Sequence, residues 1–144
     1  MTVRPEVVLS RLAHLARALA QLDRLARLSA TERRDPLTVL ALERALQLAA
    51  EAIFDIGHHV LAGRGHSIPA HYRDVLPALT DAEVLSREVA TRLEGLAGLR
   101  YLLVHGYADV DPVRLWVLTD TRIDDLRAAH AALAALPELE RARG

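Results

Sequence analysis

Apolar residues recur along this chain every three or four positions, in separate stretches. From Glu6 to about Leu28, Val8, Leu12, Leu15, Leu19, Leu22 and Ala26 keep a four-three-four-three rhythm. On a helix that rhythm draws one apolar stripe, suited to bundle packing. Pro5 fits the start of this helix, and Glu6 sets a negative charge at the positive end of its dipole. Asp35-Pro36 predicts a second start, with Asp as cap and Pro in the first helical position, for a helix reaching about Ala62. Its middle, Leu46 to Ile56, is apolar on nearly every side. Such a helix is buried on more than one face. In a bundle this small, the expectation is one face in the core and another in a subunit interface.

The glycines of Gly63-Arg64-Gly65 stop that helix. His71 to Leu79 leaves room for a short helical turn, interrupted by Pro77. Thr80 and Glu83 fit a capping box, which predicts a third long helix to about Val104. Leu85, Val89, Leu93, Leu96 and Leu103 form its stripe. Asp111-Pro112 repeats the Asp-Pro start, and the last helix runs to about Leu136 with Leu115, Leu118, Ile123, Leu126, Ala129 and Leu133 on its apolar face. Pro137 ends it, and the charged Glu138–Gly144 tail is expected to be loose. The predicted fold is all-α: an antiparallel four-helix bundle with an extra short helical turn, one domain over residues 1–144.

Composition sharpens this picture. Hydrophobic residues make up 51% of the chain, mostly Leu and Ala, while aromatics are 3%. Strand-favouring residues are therefore scarce. There is no cysteine, which excludes disulfides and thiolate metal sites. Apolar runs are broken by charges well short of a membrane span, and the first residues lack the apolar core of a signal peptide. A cytoplasmic protein without a membrane partner is expected. The formal net charge is −1, so nucleic-acid contact has to come from a local patch.

One stripe position is chemically out of place. Arg100 follows Leu96 at four-residue spacing, where the rhythm calls for an apolar side chain. A guanidinium there must snorkel, pair with an acid or face a cleft. Glu51 and Asp55, four apart on one face of the second helix, are acids that need a cation. Five residues past Arg100 stands His105, and Tyr107 follows. Metal-independent RNA cleavage needs a base at the 2′-hydroxyl, an acid at the leaving oxygen and positive charge on the phosphate. Histidine can fill either of the first two roles and arginine the third. On a regular helix, however, residues five apart are rotated by about 140°. Arg100 and His105 share a face only if the helix ends or distorts before His105, which Gly106 allows by taking a left-handed conformation, or if a symmetric dimer brings two copies together. The residues alone fit a structural role better: Arg100 neutralising Glu51 or Asp55, and His105 interacting with the helix dipole.

The other histidines predict no metal site. His58 and His59 point about 100° apart on a helix, no His-x3-His pair exists, and both read as surface or interface residues. Arg64 and Arg73 either extend an RNA path or are solvated loop arginines.

The pattern Arg-x4-His-x-Tyr over Arg100, His105 and Tyr107 resembles the signature of the HEPN superfamily, and within it the HepT type. Its context agrees over about Arg4 to Leu136: a Gly-rich break with Pro69 and Tyr72 before it, an Asp-Pro helix start after it, and the acid-bearing helix Ala45–Ile56. The resemblance implies a HEPN-like bundle and a ribonuclease toxin without cofactor or metal, working on RNA as a homodimer. Its partner would be a cognate minimal nucleotidyltransferase antitoxin. Arg100 and His105 would be the catalytic pair, with Glu51, Asp55 and Tyr101 in support. Tyr107 would be the hydroxyl that the partner modifies with AMP. Tyr101 stands where the family often has a polar residue. It either stacks on a base or marks a lost polar contact, and the second case points to a non-catalytic dimer that binds a nucleotidyltransferase or a nucleotide.

Overall fold

The computed structural model describes residues 2–106 and 110–144. Among them lie seven α-helices and no strand: α1 Pro5–Ala26, α2 Pro36–Gly63, α3 Val75–Asp81, α4 Arg87–Arg92, α5 Leu96–His105, α6 Pro112–Ala134 and α7 Pro137–Arg143. Short 3-10 turns at Glu32–Arg34 and Tyr72–Asp74 precede α2 and α3. The fold is the expected all-α bundle, built on α1, α2, α4 with α5, and α6. No helix among the described residues is long and apolar enough to cross a membrane.

Both Asp-Pro starts form as read. The Asp35 carboxylate accepts from the Leu37 amide at 2.8 Å, and Asp111 does the same for Val113 at 3.0 Å. α1 buries Val8, Leu12, Leu15, Leu19 and Leu22 along its stripe. α1 and α2 run antiparallel, since Arg4 meets His59 and Arg11 meets Asp55. The apolar belt of α2 is covered within this chain by α1, α3, α5 and α6. α2 is the central helix, and its neighbours use several of its faces. Leu37, Leu40 and Leu48 remain exposed. At Gly57 a Cβ would lie 2.9 Å from Leu79 Cδ1, so the missing side chain lets α3 approach closely.

The third long helix is not continuous. Thr80 lies inside α3, where its hydroxyl donates to the Leu76 carbonyl, and Glu83 takes φ +58 in the turn that follows. The working cap is Ser86, whose Oγ accepts from the Val89 amide at 3.2 Å. A second break precedes α5, with Gly95 at φ +89. Leu85, Leu93, Leu96 and Leu103 are nevertheless buried. Periodicity identified the inward face correctly, but the burial of Val84 and Leu85 shows why the chain turns where a capping box was read. Pro77 does not interrupt α3, because it falls in the first turn, where its missing N–H costs nothing. The tail is also ordered differently from expectation. α7 buries Leu139, and Glu138 is held by Arg64.

Candidate functional site

α2 and α5 pack side by side, and the helical pitch of α2 brings Glu51, Asp55 and His58 onto one stripe at four- and three-residue spacing. Arg100 reaches this stripe from α5. Its Nη2 lies 3.9 Å from Glu51 Oε1, an ion pair too long for a hydrogen bond. That same Oε1 accepts from Gln47 Nε2 at 3.2 Å. The Arg100 side chain is only 19% exposed. Its guanidinium carbon sits 3.8 Å above the centre of the Tyr72 ring. Tyr72 in turn meets Phe54 edge-on at 5.0 Å and His58 at 5.4 Å. Arg100 Nε and His58 Nε2 are both buried without a hydrogen-bond partner among the described residues.

Asp55 extends this cluster. It pairs loosely with Arg11 Nε at 3.8 Å. Partial burial raises its carboxyl above the usual range, and the neighbouring Glu51 adds to the rise, while Arg11, His58 and Arg100 oppose it. The stripe thus gathers two acids and a histidine, with Arg11 paired to Asp55 and Arg100 to Glu51. Among the described residues, no group of three or more His, Asp or Glu is placed to hold a metal.

Not all of the predicted residues meet. α5 runs without a break through His105, and Gly106 follows at φ −106, not in the left-handed region. Arg100 and His105 therefore stay about 140° apart around one helix. His105 is exposed and packs against Tyr101, one turn earlier, with ring centroids 4.9 Å apart. Tyr101 is 64% exposed. Glu51 and Asp55 do lie beside Arg100. Tyr107 lies outside the described residues.

Two members of the cluster carry more than the sequence suggested. His58 belongs to the Arg100 surroundings, and its spacing from Glu51 and Asp55 was a legible signal. Tyr72 comes from a 3-10 turn after the Gly-rich break, and no local pattern marks it as Arg100's neighbour.

The family described as HepT-like, "Ribonuclease HepT-like", matches residues 15–133. The chain belongs to the HepT-like family. Within that family's span, the HepT-like chain is 28% identical over 116 residues to the tRNA nuclease HepT of Aphanizomenon flos-aquae, covering 80% of this chain and 79% of that protein. Its fold is similar to a tri-AMPylated Shewanella oneidensis HEPN toxin in complex with MNT antitoxin, with TM-score 0.81, 18% identity, and coverage of 90% of this chain and 98% of that one. It is also similar to YutE, a cytosolic protein of unknown function from Bacillus subtilis, with TM-score 0.82, 25% identity, and coverage of 96% and 93%. The HepT-like match contains every predicted site residue, from Glu51 to Tyr107.

Proposed function

We propose that this HepT-like chain is the ribonuclease toxin of a toxin–antitoxin pair, cutting RNA in the cytoplasm without a metal. The observation that supports this best is Arg100, a largely buried cation held over an aromatic face, with an ion pair too long to engage it fully. A guanidinium so placed is ready to fork onto phosphate oxygens. In the reaction the ribose 2′-oxygen bonds to the adjacent phosphorus and the bond from phosphorus to the 5′-oxygen breaks. A base takes the 2′ proton, and an acid supplies one to the leaving 5′-oxygen. His105 serves as that acid or base. Arg100 stabilises the charge that develops on phosphate, and Glu51 and Asp55 orient it.

Because Arg100 and His105 face apart in one protomer, the site in this reading is closed by a homodimer, in which His105 of one protomer meets Arg100 of its partner. Exposed Leu102 and Leu48 support an apolar meeting surface beside the pair. Tyr101 is then available to stack on a base. The antitoxin is a minimal nucleotidyltransferase, and Tyr107 is the hydroxyl it modifies with AMP. The added phosphate brings negative charge and bulk to a site that must accept RNA.

The test is cleavage of RNA by the purified, unmodified chain in the presence of a chelator, beside His105→Ala and Arg100→Ala. Transfer RNA is the first substrate to offer, given the relative's activity. Cleavage by the wild type is expected, with both variants reduced to a small residual rate, and undiminished cleavage by either variant refutes the assignment. A second reading, a non-catalytic dimer that binds the nucleotidyltransferase or a nucleotide, draws support from the separation of Arg100 and His105 within α5. It predicts no cleavage by the wild type and no growth arrest on expression.

A further inference from the structure

Arg100 is held by an aromatic ring more than by an acid. Its ion pair to Glu51 spans 3.9 Å, and the Glu51 oxygen concerned already accepts from Gln47. Among the described residues its buried Nε has no partner, so no hydrogen bond from them through that atom sets the plane of the guanidinium. What lies against it is Tyr72, 3.8 Å below the guanidinium carbon. The ring is itself wedged, with Phe54 at 85° and 5.0 Å and His58 at 5.4 Å.

We propose that Tyr72 is the positioning residue for Arg100 in RNA cleavage, an inference that rests on the ribonuclease reading above. A carboxylate that gripped Arg100 in a two-point fork would occupy the same guanidinium edge that phosphate needs. An aromatic face attracts the cation through its quadrupole and leaves that edge available. The ring performs this role, and the hydroxyl is not required. Tyr72 therefore acts through Arg100 and touches no reacting atom.

The experiment compares Tyr72→Leu and Tyr72→Phe in the wild-type and Arg100→Ala backgrounds, by steady-state cleavage of transfer RNA. Tyr72→Leu is expected to lower kcat roughly tenfold with KM within about twofold, while Tyr72→Phe stays within about twofold of wild type. In the Arg100→Ala background, Tyr72→Leu is expected to change the residual rate by less than about twofold, since the partner it acts through is gone. A merely structural role would lower both backgrounds by the same factor. An activity-independent reading comes from the Arg100 Nε–H resonance in the labelled protein. Ring current from Tyr72 should shift it upfield in the wild type and Tyr72→Phe, and the shift should vanish in Tyr72→Leu. The proposal is overturned if Tyr72→Leu cleaves like wild type, if Tyr72→Phe falls as far as Tyr72→Leu, or if the two backgrounds respond alike. A wild type that cleaves no RNA refutes the ribonuclease reading and the positioning role with it. A shifted Arg100 resonance would then still establish the stacking, so the two failures are told apart.

Discussion

Replacing Glu138 with Gln isolates the contact that fastens α7 to the bundle. The Glu138 carboxylate accepts from Arg64 Nε at 3.2 Å and from Arg64 Nη2 at 2.8 Å. Glu138 is 16% exposed and Arg64 25%. The two hydrogen bonds from Arg64 hold the Glu138 carboxyl below its usual range. Gln keeps the shape and one acceptor but removes the charge. A charge-assisted hydrogen bond contributes about 1.5–3 kcal/mol against about 1 kcal/mol for a neutral one. With both groups touching solvent, the lower end applies, so the expected loss is about 1 kcal/mol. For a chain of this size that lowers Tm by about 3–5 °C.

The pH dependence fixes the cause. Unfolded Glu138 titrates near 4.5, and its folded value is lower. The pair's contribution is therefore complete above that pH and is lost as pH falls through the depressed folded value. Thermal unfolding followed by circular dichroism should show a constant gap between wild type and Glu138→Gln from neutral pH down to about 5, closing in stronger acid. Equal Tm values at neutral pH, or a gap that persists in acid, would refute the reasoning. Arg64→Ala should cost similar stability and, because Glu138 already engages its guanidinium, is expected to leave RNA cleavage unchanged.

The opposite sign is expected at Asp55. Its carboxyl is raised, first by partial burial, so ionisation at neutral pH opposes folding. Asp55→Asn should match or exceed the wild-type Tm near neutral pH, lose that advantage below about pH 4, and cleave RNA more slowly; a lower neutral Tm would contradict this. Ser86→Ala should cost about 1 kcal/mol in denaturant unfolding, because Ser86 caps α4, whereas Thr80→Ala should behave as an ordinary mid-helix change. Gly95→Ala should cost about 1–2 kcal/mol from the left-handed φ alone, since a Cβ there meets nothing within 4 Å. An unchanged midpoint would show that the turn relaxes.

The repeating Leu stripes and Asp-Pro starts were legible because helix burial and N-terminal capping are local rules, and α1, α2 and α6 obey them. The break between α3 and α5 was not legible. Thr80 and Glu83 satisfy a capping pattern that tertiary burial of Val84 and Leu85 overrides. Arg100, Glu51 and Asp55 were found because a charge in an apolar stripe needs a partner, and helix periodicity put the acids on one face. Tyr72 escaped because it arrives from a loop, where sequence spacing says nothing about direction. The distance around α5 between Arg100 and His105 was foreseen from pitch, and α5 keeps that pitch through His105. Whether a second protomer closes the gap is a question of assembly.

That question has a direct measurement: cleavage of transfer RNA by a mixture of Arg100→Ala and His105→Ala proteins, each reduced to a small residual rate alone, after their subunits have exchanged. If each site takes Arg100 from one protomer and His105 from the other, a mixed dimer holds one intact site. Random exchange should then restore about a quarter of the wild-type rate. A mixture that stays at the variants' own residual rate while the wild type cleaves, in dimers shown to have exchanged, would contradict the shared site. A wild type that cleaves nothing would contradict the ribonuclease itself.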